Sequence, residues 1–199
     1  MLTPDRYWLL TWTTYATWLP GDDRGSVVDN RRHRQNTPGT PYLAAQSAIH
    51  RRAVAAQAGA PVYLTADQAA VVLTQFQNTA AYRGWSLRAA AVMRNHVHLV
   101  VGVPGDPEPD TLLRDFKSYA SRALNGRWPK PASGTWWTQS GSTRKLSDVP
   151  AAVGYVLTQE YPLVVWSADA AVPGERPAVP GERPAVPGER PAVPGERPA

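Results

Sequence analysis

The chain has 199 residues and no cysteine, which predicts one main domain and excludes both a disulfide framework and a thiolate metal site. Its formal net charge is +5, and this favours a polyanion as partner. No apolar run is long enough to span a bilayer and the first residues lack a signal-peptide pattern, so we expect a cytoplasmic protein with no membrane partner.

The first predicted elements in chain order are a strand, an inserted segment and two helices. Tyr7–Tyr15 is rich in aromatic and β-branched residues, which predicts a strand. Residues 26–60 are predicted as an insertion, in which an arginine-rich loop precedes an Ala-rich helix over Tyr42–Gln57. Thr65–Gln68 has a capping-box pattern, so we expect a second helix to begin there and to end at Gly84.

The second half of the chain predicts two further strands and two further helices. Trp85–Met93 and His96–Val103 are the predicted strands, joined by a tight turn. The predicted helices are Thr111–Gly126, capped by the preceding Asp, and Asp148–Gln159, capped by the preceding Ser. A short strand is also expected at Thr135–Thr138. This order predicts an α+β fold with a ferredoxin-like antiparallel sheet, whose third strand lies near the middle.

The end of the chain repeats one heptapeptide, Ala-Val-Pro-Gly-Glu-Arg-Pro, four times from Ala171. Two prolines and a glycine in each copy exclude a coiled coil and predict an extended, flexible tail. Each copy carries one Glu and one Arg, so the net positive charge belongs to the rest of the chain. We therefore divide the chain into a domain at 1–168 and a disordered tail at 169–199.

His96 and His98 are the strongest candidates for chemistry. Residues two apart on a strand project to the same face, so the two imidazoles should stand side by side. Neutral imidazole is a good ligand for divalent metals. A His pair is also common at solvated strand ends, so the pair alone leaves an inactive surface feature open. The preceding Asn95 could hydrogen-bond near the pair.

Four stretches taken in order carry a resemblance to a known family. They are Thr11–Tyr15, Thr17–Gly21, Arg94–Val101 with its His-hydrophobic-His motif, and Phe116–Arg122. Together they resemble the single-tyrosine HUH transposases of the IS200 type, which include the REP-associated tyrosine transposases. The resemblance covers roughly residues 7–159.

The resemblance implies a DNA-cutting and DNA-joining enzyme. Tyr119 would attack a phosphodiester of single-stranded or hairpin DNA and form a 5′-phosphotyrosine, which a second strand's 3′-hydroxyl would resolve. His96 and His98 would hold Mg²⁺ or Mn²⁺, which would polarise the phosphate. Many relatives form homodimers and others act alone, so the resemblance leaves both a homodimer and a monomer open.

One position departs from the family pattern. A third metal ligand, Gln or Asn, is expected about one helical turn after the tyrosine, and Ala123 stands there and cannot bind a metal. Asn125 and Gln139 are the remaining candidates. The candidate DNA-binding residues, each of which has a plain structural alternative as a solvated or core side chain, are Arg94, Asn95, Lys117, Arg122 and Trp12.

Two classes of function stay open. The presence of His96, His98 and Tyr119 favours an active enzyme, whereas Ala123 favours a domesticated module that binds hairpin DNA without cutting it. A nucleotide hydrolase of the histidine-triad type is disfavoured, because it requires a further His where this chain has Val100.

Overall fold

The structure is a computed structural model that describes residues 4–22 and 46–169. The arginine-rich loop, the start of the predicted Ala-rich helix and the heptapeptide tail lie outside the described residues. The division into a domain and a tail therefore stays a prediction.

The described residues form a five-stranded antiparallel sheet with four helices. The strand order across the sheet is β4-β1-β3-β2-β5. The predicted α+β class and the central place of the His strand are confirmed. In chain order the elements are β1 Arg6–Thr13, α1 Ser47–Ala55, α2 Ala66–Arg83, β2 Ser86–Val92, β3 His96–Val103, α3 Pro109–Asn125, β4 Ser142–Lys145, α4 Val149–Leu157 and β5 Val164–Ser167.

The central strand β3 separates two hydrophobic cores, because successive side chains point to opposite faces. Val97, Leu99 and Val101 pack in the larger core, to which α2 and α3 contribute their buried residues. Val100 packs in the smaller core, beneath α4. His96 and His98 have the same parity as Val100, so both lie on the α4 face of the sheet.

The larger core is built around interlocking aromatic rings. The Phe76 ring of α2 meets both the Trp12 ring of β1 and the Phe116 ring of α3 edge-on, with centroids 5.6 Å apart in each pair. All three side chains are buried. The predicted capping box starts α2, since Thr65 and Gln68 bond reciprocally. These contacts fix α2 and α3 as one layer on one face of the sheet.

The smaller core admits a short helix close to the strands. Ala89 and Ala91 of β2 are fully buried there, and their small side chains leave room for α4. The Asp148 carboxylate caps α4 by accepting from the Ala151 amide at 2.9 Å. Asp148 is thus the cap itself, one residue after the predicted Ser, because its carboxylate reaches the third amide of the helix.

Three other boundaries differ from the sequence-based predictions. Helix α3 begins at Pro109, with Glu108 at its N-cap, because proline is readily accommodated in a first turn. The strand expected at residues 135–138 is reduced to a single bridge between Thr14 and Trp137. The paired strand comes later, as β4, whose polar sequence gives no strand signal. No helix in the described ranges is long and apolar enough to cross a membrane.

Candidate active site on the α4 face of the sheet

The two histidines of β3 stand side by side, as their spacing predicts. Their ring centroids are 4.9 Å apart and the ring planes are nearly perpendicular. His96 begins the strand and is half-buried, whereas His98 is only 6% exposed. The pair therefore spans the boundary between solvent and interior, with one imidazole near solvent and one enclosed.

A hydrogen bond orients each imidazole through its Nδ1 atom. The Nδ1 of His98 lies 2.8 Å from the Thr11 hydroxyl of β1, and the Nδ1 of His96 lies 2.7 Å from the Asn95 side-chain oxygen. An amide oxygen only accepts, so the Nδ1 atom of His96 is the donor in this bond. In metal sites, a hydrogen bond at one ring nitrogen commonly fixes the orientation of the imidazole that binds the metal.

The environment keeps His98 neutral. Burial, with a smaller contribution from neighbouring His96, lowers the pKa of the His98 imidazole from 6.5 to about 3. A neutral imidazole retains the lone pair that a cation or a proton donor would use. The side chain is thus a base or ligand at ordinary pH and not a charged group.

Tyr155 of α4 brings a phenol to the pair. Its ring meets the His98 ring edge-on, with centroids 5.4 Å apart, and the residue is 4% exposed. Helix α4 packs against β2 and β3, so the tyrosine is held on a rigid element. The sequence interpretation missed this residue, although Gln159 stands four residues later, one helical turn on, where the family resemblance expects an amide ligand.

Gln159 lies just beyond the end of α4, and its amide group is anchored to the helix. Its Nε2 donates to the Tyr155 carbonyl at 3.0 Å. The amide oxygen of Gln159 takes no part in this bond, and oxygen is the atom of an amide that a divalent cation prefers. Together with two imidazoles, such an oxygen would make a small neutral donor set, which suits a cation that keeps several waters. In residues 4–22 and 46–169, no three His, Cys, Asp or Glu side chains are grouped to hold a metal.

The predicted meeting of Tyr119 with the His pair is wrong. Tyr119 lies on α3, whose buried residues pack in the larger core on the opposite face of the sheet. Its ring instead contacts Tyr82 of α2, with centroids 6.3 Å apart, and the Arg122 guanidinium lies 5.2 Å from its centroid. Strands β1 and β2 run parallel to each other and are connected through α2, and β3 and β4 run parallel and are connected through α3. Such connections are right-handed, which places α2 and α3 on the same face of the sheet and keeps α3 away from His98.

Of the two candidate third ligands, the structure places Asn125 away from the His pair and leaves Gln139 untested. Asn125 ends α3, in the opposite layer, and its side-chain oxygen accepts from the Trp136 indole at 2.8 Å. The prediction that Asn125 binds the metal is therefore wrong. Gln139 lies in the loop before β4, and its carbonyl accepts from Lys117 at 3.1 Å. No contact of the Gln139 side chain tests its predicted role, which stays a prediction.

Two of the candidate DNA-binding residues use their side chains in contacts within the protein. Trp12 is 2% exposed and packs against the Phe76 and Trp137 rings, so base stacking by Trp12 is wrong and core packing is what it does. The Lys117 ammonium donates to three successive carbonyls, those of residues 138–140. An ammonium has three donors, so none remains for a phosphate.

The other three candidates lie at the surface or at the site. Arg122 is exposed on the Tyr119 side of the molecule, remote from the His face. Arg94 is exposed at the turn before β3, with its guanidinium 4.9 Å from the Tyr63 ring centroid. Asn95 holds His96, and its carbonyl accepts from the Thr14 and Thr17 hydroxyls. Their contact with DNA stays a prediction.

Comparison with known proteins gives a family match for the central part of the chain. The model for IS200-like transposases matches residues 53–156, a span that includes His96, His98 and Tyr155. A comparison with curated proteins finds no match.

Two solved structures are similar to the chain at low identity. One is a REP-associated tyrosine transposase bound to a REP hairpin, with 11% identity, a TM-score of 0.40, and coverage of 78% of this chain and 67% of that one. The other is a candidate transposase from Deinococcus radiodurans R1, with 15% identity, a TM-score of 0.38, and coverage of 74% and 83%.

Proposed function

The chain belongs to the family of IS200-like transposases, and from that premise we propose that it cuts and rejoins single-stranded DNA with Tyr155 as its nucleophile. The observation that carries the proposal is the contact of the Tyr155 ring with the His98 ring, on the same face of the sheet as His96. Nucleophile and phosphate-binding groups must share one pocket, and Tyr155 meets this requirement where Tyr119 does not.

The reaction is a pair of transesterifications. The Tyr155 hydroxyl loses its proton and its oxygen attacks the phosphorus, the bond to the 3′ oxygen breaks, and a 3′-hydroxyl leaves. The 5′ end of the cut strand is then linked to the tyrosine as a phosphodiester. A second 3′-hydroxyl reverses the step and joins a new strand, with no nucleotide cofactor, because the covalent link conserves the bond energy.

The donor set fits a divalent cation, Mg²⁺ or Mn²⁺. His96 and His98 would bind it through Nε2 and Gln159 through its amide oxygen. When bound, the ion would polarise the phosphate and offset charge developing on its oxygens. Because two donors are neutral imidazoles and one is an amide, the remaining positions suit water and phosphate oxygens.

The chain's own side chains hold the pocket in a fixed geometry. Thr11 and Asn95 orient the imidazoles through hydrogen bonds of 2.8 and 2.7 Å. Tyr155 is buried on a capped helix and loses little freedom when a phosphate approaches. The low exposure of His98 and Tyr155 excludes bulk water from the inner side of the pocket, which strengthens electrostatic interactions there.

We propose single-stranded or hairpin DNA as the substrate. The net charge of +5 attracts a polyanion. A half-buried His96 at the strand start leaves the pocket edge near solvent, where a flexible strand can present one phosphate.

The alternative of a domesticated module that binds DNA without cutting loses its main support. That support was Ala123, the residue one turn after Tyr119. With Tyr155 as the nucleophile, the corresponding position is Gln159, which has the expected side-chain amide. Ala123 therefore no longer counts against an active enzyme.

A denaturing gel tests the proposal. The protein is incubated with Mn²⁺ and a library of labelled single-stranded oligonucleotides that carry hairpins. We expect a covalent protein–DNA adduct that Tyr155→Phe abolishes and the matched Tyr119→Phe variant retains. Loss of the adduct in Tyr119→Phe and its retention in Tyr155→Phe would refute the proposal.

A further inference from the structure

Tyr161 combines two unusual properties just beyond the proposed nucleophile and amide ligand. Its φ angle is 54°, in the left-handed region that bulky side chains rarely adopt, and it is 89% exposed. A large aromatic side chain gains nothing from solvent exposure in the free protein. Backbone strain of this kind is concentrated at binding and catalytic sites, where the surrounding structure holds it.

The backbone places Tyr161 at the His end of the sheet. The Leu163 amide, two residues on, donates to the Val92 carbonyl at 2.9 Å. Val92 pairs with Val97 of β3, and the Met93 amide donates to the His96 carbonyl at 2.8 Å. The exposed tyrosine therefore lies on the β5 side of the His pair, at the strand end where His96 begins β3.

A second exposed tyrosine reaches the same sheet end from the other side. The Leu64 amide donates to the Arg94 carbonyl at 2.8 Å, and the Val62 amide donates to the Tyr15 carbonyl, just after β1. Tyr63 lies between these anchors, is 50% exposed, and has the Arg94 guanidinium 4.9 Å from its ring centroid. Val62 and Leu64 are buried in the larger core, which leaves Tyr63 as the outward residue of the segment.

We propose that Tyr63 and Tyr161 are base-stacking positions that hold single-stranded DNA across the His pair, one on each side of the reacting phosphate. This inference rests on the proposed function and adds to it the residues that position the strand. Aromatic side chains stack on any base, so they hold a strand without selecting its sequence. Arg94 supplies a cation beside Tyr63 for the adjoining phosphate.

The two tyrosines are positioning residues, so their loss should weaken binding and leave the chemical step intact. Removal of one aromatic ring from a single-strand platform is expected to raise the dissociation constant about tenfold. Phe keeps the stacking face and should restore binding. Tyr82 is a matched control, since it is 76% exposed but lies on α2, in the layer opposite the His pair.

The experiment measures binding separately from cutting. In a Tyr155→Phe background, fluorescence anisotropy gives the dissociation constant for a labelled single-stranded oligonucleotide, and 2-aminopurine quenching reports base stacking. We expect about tenfold weaker binding and reduced quenching in Tyr63→Ala and Tyr161→Ala. We expect wild-type values in Tyr82→Ala, Tyr63→Phe and Tyr161→Phe, with folding of each variant checked by circular dichroism.

The result that overturns the inference is binding in Tyr63→Ala and Tyr161→Ala equal to that in Tyr82→Ala, or a failure of Phe to restore it. Adduct formation by the enzyme with an intact Tyr155, in the presence of Mn²⁺, is scored in parallel. If that adduct forms and the alanine variants bind normally, only the stacking inference fails. If no adduct forms but the alanine variants lose stacking, only the cutting chemistry fails.

Discussion

At the scale of single residues, the site depends on how each imidazole is oriented. Thr11 engages the Nδ1 atom of His98, and Asn95 engages the Nδ1 atom of His96. Both partners lie outside the set of metal donors, so their effect on a cation is indirect. Outer partners of this kind are nevertheless expected to matter, because a ring that is free to rotate binds less tightly.

Thr11→Val should therefore weaken metal binding without abolishing it. Valine keeps the shape of threonine but cannot bond His98, so we expect the Mn²⁺ dissociation constant to rise about tenfold or more. Isothermal titration calorimetry measures the change. Thr13→Val, one pair along the same strand, is the control and should bind as the wild type does. Equal affinity in Thr11→Val and the wild type would contradict the proposed role.

The depressed pKa of His98 predicts acid sensitivity of the chelator-treated protein. The unfolded chain takes up a proton near pH 6.5, whereas the folded chain does so only at about 3, so the unfolded state binds more protons in between. The contribution of this group to the free energy of unfolding should be constant above pH 6.5. At lower pH it should decrease, by up to about 1.4 kcal/mol per pH unit. Urea denaturation between about pH 7 and pH 4.5 measures the slope.

His98→Asn supplies the control for that slope. Asparagine keeps a polar side chain next to Thr11 but does not titrate in this range. We expect the variant to lose the part of the acid-induced destabilisation that belongs to His98. An identical slope in the variant and the wild type would show that the imidazole is not the group responsible.

At the scale of elements, the layer to which each helix belongs decides the chemistry. The sequence was sufficient for β3, for the capping box of α2 and for the face shared by His96 and His98, because each depends on local spacing. The prediction for Tyr119 was wrong, because it assumed that α3, the helix after β3, covers the face of the sheet that carries the His pair. The right-handed rule for β-α-β connections could have assigned α3 to the face of α2. The contact between Tyr155 and His98 depends on packing of α4 over small alanines, which no local pattern encodes.

Helix α3 also holds the loop that precedes β4. The half-buried Lys117 ammonium donates to the carbonyls of Thr138, Gln139 and Ser140 at 2.8, 3.1 and 2.8 Å. We expect Lys117→Met to lower the free energy of unfolding by about 1–3 kcal/mol, because three charged hydrogen bonds to the loop are lost. Thermal and urea denaturation measure the loss.

Lys130→Met is the matched variant, since Lys130 is exposed in the loop that follows α3. Surface substitutions of this type change stability by no more than about 0.5 kcal/mol. Equal stability in the two variants would contradict the role assigned to Lys117.

At the scale of the whole molecule, charge and chemistry belong to the same part of the chain. Each heptapeptide of the tail pairs one Glu with one Arg, so the net charge of +5 lies outside the repeats. Electrostatic attraction to DNA follows the charge of the surface that the DNA meets. The tail therefore should add little to binding, although its assignment as a separate disordered segment stays a prediction.

Truncation after Asp169 tests that division. We expect the shortened chain to bind single-stranded DNA within about twofold of the full chain, with the same dependence on salt concentration. Fluorescence anisotropy at several salt concentrations measures both quantities. A large loss of affinity, or a smaller salt dependence, would show that the repeats contribute to the DNA-binding surface.

The most direct test of Tyr155 as the nucleophile is to identify the residue that becomes linked to DNA. Wild-type protein is trapped with Mn²⁺ and a single-stranded substrate, digested with trypsin and nuclease, and analysed by tandem mass spectrometry. We expect the fragment spectra to place a nucleotide remnant on Tyr155. A remnant on the peptide that contains Tyr119 would contradict it, because that phenol lies on the opposite face of the sheet from both histidines.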